Sequence, residues 1–367
     1  MFVALLVAAI LFQQDIPVSG QSTPAQIAVQ SIPSTTDIEQ LRAKANAGDA
    51  SAQLFLGRAY EDGKGVPQND PQAASWYRKS ADQGNASAQN SLGLMYREGR
   101  GVQRDQAEAL KWYHKAARQK NATAMFNLGT AYYNGDGVGI NDTLSCAWFL
   151  LAKEQGSPNA KEALSKDGKK LLSTDLVSAW FVIAMMYRKG EDLERNDAEA
   201  IKWLTKAADN GNPDAKVQIA TMYANGQGVP KDFGRVLELC ESAAKQNYGP
   251  GSYCVGVIHR QGLGIAKDSR EALKWFRNAA EQNHSGAAMV LVDMYEKGEG
   301  TEVNRVEAYY WLFMAFTEGV TDTHERAAQL WRQMQPSDIK HLEKKLQGLN
   351  YDPKKVFKEL GTEIPQA

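Results

Sequence analysis

The sequence predicts an all-α fold: a right-handed α/α superhelical solenoid of about seven 36-residue helix-turn-helix repeats with a C-terminal helical cap. Three observations predict it. Leu56-Gly57-x-x-Tyr60-x-x-Gly63-x-Gly65-Val66 recurs from Leu92 to Val102 and from Leu128 to Val138, a period of 36. After a break of 19 extra residues the tyrosine column resumes at Tyr187, Tyr223, His259 and Tyr295, again 36 apart. A glycine follows that column by three residues in every unit, and an Asp or Asn followed seven residues later by Trp stands beyond it in six of the seven.

At the amino terminus, Met1 to Phe12 is an uncharged apolar run, too short to span a bilayer and of the length of a signal-peptide core. No Lys or Arg precedes it, so either the start is misassigned or the signal is atypical; Val18-Ser19-Gly20 supplies small residues for cleavage. Residues 1–20 are therefore expected to be a signal peptide and 21–36 a disordered tether. Export to a bacterial periplasm or beyond follows, with a cytoplasmic location if the run is not a signal.

Within the repeats each column has a physical task. Gly63, Gly99, Gly135, Gly190, Gly226, Gly262 and Gly298 end the first helix in a left-handed conformation that costs least in glycine. Six residues on, Asn69, Asp105, Asn141, Asn196, Asp232, Asp268 and Asn304 are N-caps of the second helix, and Gln72, Glu108, Glu199, Glu271 and Glu307 complete a capping box in five of them. Trp76, Trp112, Trp148, Trp203, Trp275 and Trp311 are expected to fill the core, with Leu239 as the substitute in repeat five. Small residues such as Gly57, Gly93, Gly129 and Gly256 allow close helix approach. One hairpin of this kind does not bury its apolar face alone; stacked neighbours do.

These residues resemble the Sel-one-like repeat family, a relative of the tetratricopeptide repeat, seen at Gly48-Asp49-Ala50, Leu56-Gly57, Tyr60, Gly63-Lys64-Gly65-Val66, Trp76, Lys79 and Gly84. The resemblance covers about residues 37–320. Departures are Asp192 for the second turn glycine, Leu239 for Trp, His259 for Tyr and Val292 for Gly. It implies an adaptor that binds another protein.

Repeats one to three occupy 37–156, an inserted helix 157–175, repeats four to seven 176–320 and capping helices 321–361. Repeats three and seven share a variant second helix in which the repeat lysine becomes Leu151 or Met314, and the segments behind them align at an offset of 163. A helix is expected over Pro158 to Leu172 with a new cap at Ser173-Thr174-Asp175, matched by Thr321 to Gln335 and the cap after Pro336. The pattern reads as one closing module used twice, with two or three helices sealing the end.

Composition narrows function further. A net charge of −1 over 367 residues leaves no electrostatic footprint for nucleic acid. No apolar run reaches the roughly 20 residues of a membrane-spanning helix. No cofactor, catalytic or metal residue is assigned: the five histidines lie in different repeats without ligand spacing, and His259 is expected as a core residue. A Cys240–Cys254 bridge is conceivable in an oxidising compartment, but the variable column of Cys254 suggests the outward flank, which argues against closure. Ser242 to Lys245 and Ser337 to Lys340 match Ser-x-x-Lys without partner motifs, and Gly135-Asp136-Gly137-Val138-Gly139 follows a helix where a dinucleotide fingerprint needs a strand. The glycosylation-like triplets at Asn85, Asn121 and Asn141 are by-products of the repeat.

The remaining asset is the concave face lined by the first helices. The position after the helix glycine reads Arg58, Leu94, Thr130, Met185, Thr221, Val257 and Asp293, varying where its neighbours do not. An ordinary solvated face is the plain alternative; Leu94, Met185 and Val257 favour a peptide-binding groove on a monomeric adaptor. The rival readings are a weak penicillin-binding or β-lactam-hydrolysing enzyme, like cysteine-rich relatives whose paired cysteine per repeat is missing here, and a cell-envelope structural protein.

Overall fold

The computed structural model describes residues 35–166, 176–321 and 323–362. The expected signal peptide, the tether up to residue 34, and the cap at Ser173-Thr174-Asp175 lie outside the described residues. Among the described residues there are 19 helices and no strand. The chain divides into two compact units, Met1–Arg195 and Asn196–Ala367, and the division falls inside repeat four, between its two helices.

The first unit opens with a helix the repeat pattern did not announce, Thr35–Asn46, which takes the last two residues assigned to the tether. It supplies Ala45 to a cluster with Ala52, Leu56 and Trp76, so it acts as the second helix of a half repeat. Three full hairpins follow: Ala50–Asp62 with Asp70–Asp82, Ala86–Glu98 with Gln106–Arg118, and Ala122–Asn134 with Asp142–Glu154. Pro158–Lys166 and Leu176–Lys189, the first helix of repeat four, both pack on Asp142–Glu154. The second unit holds Asp197–Asp209, then the hairpins Pro213–Asn225 with Phe233–Ala244, Gly249–Gln261 with Ser269–Glu281, and Ser285–Lys297 with Arg305–Thr317. Three helices, His324–Gln333, Pro336–Gly348 and Pro353–Glu359, close it.

All seven predicted helix-ending glycines are left-handed, with φ from 68° at Gly63 and Gly298 to 79° at Gly135. Each N–H donates to the carbonyl four residues back, Ala59 for Gly63 and Met294 for Gly298. The seven N-caps also form; Asn69 Oδ1 accepts from Gln72 N at 3.0 Å and Asn304 Oδ1 from Glu307 N at 3.0 Å. The expected capping boxes need correction. A box requires the N-cap N–H, and in four of the five (Asn69, Asp105, Asp268 and Asn304) that group already donates to the tyrosine-column carbonyl of the first helix, as in Asn69 N to Tyr60 O at 2.8 Å and Asp105 N to Tyr96 O at 2.9 Å. Glu108, Glu199 and Glu271 instead pair with Lys111, Lys202 and Lys274 one turn on. The cap thus ties the two helices of a hairpin together.

Five of the six column tryptophans are buried, from Trp148 at 0% to Trp76 at 8% exposure. Burying an indole removes roughly 200 Å² from water, worth about 5 kcal/mol before ordering costs. Trp275 is the correction: it is only half-buried. Over Trp76, Trp112 and Trp203 the repeat lysine lies 3.8 Å from the ring centre (Lys79, Lys115, Lys206), whereas Trp275 has Asn278 in that place, hydrogen-bonded to Ser252.

The helix glycines meet the aromatic residue twenty positions later. A Cβ on Gly57, Gly93, Gly129 or Gly256 would stand 2.6 to 2.8 Å from the ring of Tyr77, Tyr113, Phe149 or Phe276. Where the glycine is absent, at Ala184, Ala220 and Val292, the residue twenty on is Leu204, Cys240 or Leu312. Size on one helix compensates size on the other, as close packing demands.

Candidate functional site

The first-helix column does not form one open stripe. Arg58 and Thr221 are exposed; Leu94, Met185, Val257 and Asp293 are half-buried. Thr130 corrects the expectation of an outward column, being 6% exposed with its hydroxyl donating to Phe126 O at 3.1 Å. Its helix is buried continuously from Ala124 to Ala131, so the outward angle counted on an isolated helix does not survive packing. Beside it Asn127, also 6% exposed, donates through Nδ2 to Asn90 Oδ1 at 2.9 Å. Val257 rests against the apolar core of the second unit, and Asp293 is committed to Arg326, which also pairs with Glu296 at 2.5 Å. Arg58, Leu94, Thr130 and Met185 belong to the first unit and Thr221, Val257 and Asp293 to the second.

Polar side chains otherwise serve the joints between repeats. Gln53 Nε2 donates to Ala45 O at 3.0 Å and Gln89 Nε2 to Ala81 O at 3.1 Å, satisfying end carbonyls of the preceding helix. Arg42, Arg78 and Arg277 donate to Tyr60, Tyr96 and Tyr295 of the next repeat. Glu61 accepts from Arg100 at 2.7 Å, and Arg260 meets Glu299 at 2.7 Å in the same two columns with the charges exchanged. Burial and the Glu61 carboxylate push the Tyr77 phenol up, so it stays a donor to Glu61.

The histidines are similarly structural. His114 stands in the arginine column, with Nδ1 3.3 Å from Asp192 Oδ1 and its ring edge-on to Trp148; burial lowers its pKa. Asp192 tolerates its loss of glycine because its backbone does not adopt the positive φ of Gly65, Gly101 or Gly137. Arg118 donates to the neighbouring Glu191 carbonyl. His259 is half-buried at the edge, as Tyr60 and Tyr96 are, and not the core residue expected. His284 caps Ser285–Lys297, its Nδ1 accepting from Ala287 N at 3.1 Å.

Sequence reasoning named this pair but argued against its closure, and the structure corrects that. Cys240 and Cys254 are disulfide-bonded, with Cα atoms 5.9 Å apart. The signal was Gly251: a Cβ there would sit 2.7 Å from Ala244 N and 2.8 Å from Ala243 Cβ, so the two helices approach more closely than any side chain allows. The flank that carries Cys254 is half-buried, not outward.

The Ser-x-x-Lys matches build no nucleophile. Ser242 Oγ accepts from Lys216 Nζ at 2.9 Å while Lys245 is an exposed C-cap, and Ser337 and Lys340 are both exposed on Pro336–Gly348. Gly135 to Gly139 form a helix-ending turn. Asn85, Asn121 and Asn141 are helix N-caps. Among the described residues no group of three or more His, Cys, Asp or Glu gathers at metal-binding distance, and no helix is long and apolar enough to cross a membrane.

An array of this kind, with polar groups spent on joints and a variable first-helix column, defines a repeat scaffold. The Sel1 repeat matches residues 50–85, 86–121, 122–157, 181–212, 213–248, 253–284 and 287–320, and the chain belongs to the Sel1 repeat family. Among solved structures it is similar to c5321, a protective antigen of uropathogenic Escherichia coli strains displaying an SLR fold: 28% identity, 88% of this chain and 79% of that one, TM-score 0.44. A Sel1 repeat protein from Oxalobacter formigenes matches at 28% identity over 76% of this chain and 99% of that one, TM-score 0.41. The immunity protein Pa5087 from Pseudomonas aeruginosa matches at 20% identity over 69% and 84%, TM-score 0.33. No curated protein matches the chain.

Proposed function

We propose that this protein is an exported adaptor that holds a partner protein or peptide on the first helices of its repeats. Sel1 repeat proteins are generally protein-interaction scaffolds. The observation that carries the finer reading is the column itself: Leu94, Met185 and Val257 are apolar and half-buried at one repeat position, beside exposed Arg58 and Thr221. Apolar side chains left partly in water at an equivalent place in several repeats offer a partner area to bury without opening the core. Thr130 and Asp293 drop out of this set because both are already engaged. Export rests on the apolar run Met1 to Phe12 and the polar stretch behind it.

The test is capture from an envelope fraction with the full chain and with Leu94→Glu, Met185→Glu and Val257→Glu combined, helicity being checked by circular dichroism. At least a tenfold loss of the captured partner is expected; equal recovery by a folded variant ends the reading. Alkaline phosphatase fused behind residues 1–36 tests export, and an inactive fusion that remains in the cytoplasm overturns that part.

A further inference from the structure

The joint between repeats five and six lacks several connectors that occur at other joints. Phe233–Ala244 carries Leu239 in the tryptophan column and Cys240 where Tyr77, Tyr113, Phe149 and Phe276 place rings. The following helix, Gly249–Gln261, has Tyr248 at its N-cap with no side-chain cap bond, whereas Asp49, Asn85, Asn121, Asn212 and His284 each cap their helix. Ser252 stands where Gln53 and Gln89 reach back to the preceding helix, and it bonds forward to Asn278 at 2.7 Å. Glu241 and His259 occupy the columns in which Arg78 meets Tyr96 and Arg277 meets Tyr295. It is tied instead by the Tyr248 hydroxyl, which donates to Asp214 of repeat five, and by the Cys240–Cys254 bridge, admitted by the bare backbone at Gly251; among the described residues no other joint carries a disulfide.

We infer that the bridge replaces those connectors, so that the joint between repeats five and six is conditional on oxidation: closed as a disulfide and locally open as two thiols. The chemistry is ordinary exchange. A thiolate of an external dithiol attacks one sulfur and forms a mixed disulfide; its second thiolate then displaces the remaining protein thiolate. The dithiol leaves as a cyclic disulfide, and Cys240 and Cys254 take up one proton each. The reverse step needs a disulfide-bearing oxidant of the same class, which an oxidising compartment supplies. Val257 lies one turn from Cys254 on the same helix, so opening the joint also displaces one member of the first-helix column.

Hydrogen exchange on the full chain, before and after dithiothreitol, tests this, with thiol labelling to count cysteines. Reduction should raise exchange across residues 233–261 by roughly a hundredfold, the scale set by closing a loop of this length, and leave Ala86–Arg118 unchanged. The Cys240→Ser, Cys254→Ser double variant should show the same local rise without reductant; if it does not fold, reduction of the folded wild type decides alone. Unchanged protection after complete reduction overturns the inference. So does uniform loss across the second unit, or labelling that finds no bridge in protein matured under oxidising conditions.

Discussion

The second helices of repeats three and seven share one departure from the pattern, and each is covered by two helices. Asp142–Glu154 is closed by Pro158–Lys166 and Leu176–Lys189, Arg305–Thr317 by His324–Gln333 and Pro336–Gly348. Where Lys79 and Lys115 lie over their tryptophans, Leu151 is fully buried and Met314 half-buried against the terminal core. The inner closure uses aliphatic and small residues, Ala160, Leu164, Ala179 and Ile183. The terminal one uses Trp331 and Phe357, 4.7 Å apart, joined by Tyr309 and by the Lys345–Glu307 and Arg326–Glu296 ion pairs. The far faces differ most. Leu176–Lys189 keeps Trp180, Phe181, Val182 and Met185 half-buried, while Pro336–Gly348 turns Lys340, His341 and Lys344 to solvent. A closing helix ends an array only when its outer face is polar; with an apolar one it opens the next repeat.

Restoring the repeat lysine is the strongest way to break this comparison. Leu151→Lys forces an ammonium into a fully buried site and should cost about 4 kcal/mol in urea unfolding, against about 1–2 kcal/mol for Met314→Lys, whose chain has a route to water. Equal losses would mean that the two closures bury this position alike. Next in size, Phe357→Ala should cost about 3–5 kcal/mol and Leu164→Ala about 2–3 kcal/mol; a larger loss at Leu164 would make the inner closure the stronger one.

The smallest effect separates the units by pH. His284 caps its helix only when Nδ1 is unprotonated, and burial lowers its pKa from the usual 6.5. A lowered folded value favours the neutral form, so this stability is present above pH 6.5 and is lost as pH falls through the folded value. The loss should be about 1 kcal/mol, seen as a falling midpoint of thermal unfolding between pH 7 and 5. His284→Asn, the residue that caps at Asn85 and Asn121, should flatten that part of the profile; an unaltered slope assigns it elsewhere, with His114 in the first unit the next residue to replace.

Most of the fold was legible because the repeat states each local requirement seven times. Left-handed ends at Gly63 or Gly226 and caps at Asn69 or Asp268 depend on a few adjacent residues, and those predictions hold in every unit. Readings that depended on a neighbouring helix fared worse. Glu108 and Glu271 match a capping box, yet the N-cap N–H is taken by a carbonyl from across the hairpin. Thr130 points outward on an isolated helix and is buried in the stack. The pairing of Gly57 with Tyr77 and of Ala220 with Cys240 was present in the sequence as a column rule, but only the 2.6 Å approach at Gly57 shows why it matters.

By itself, then, the sequence determined the period, the helix ends, the family and the two places where the lysine is lost, because these follow from backbone conformation and side-chain class within one unit. Only the tertiary structure decided which first-helix residues remain accessible, how each closing helix is used, and that Cys240 meets Cys254. Those outcomes depend on the distance between helix axes, and at Gly251 that distance was set by the absence of a single Cβ.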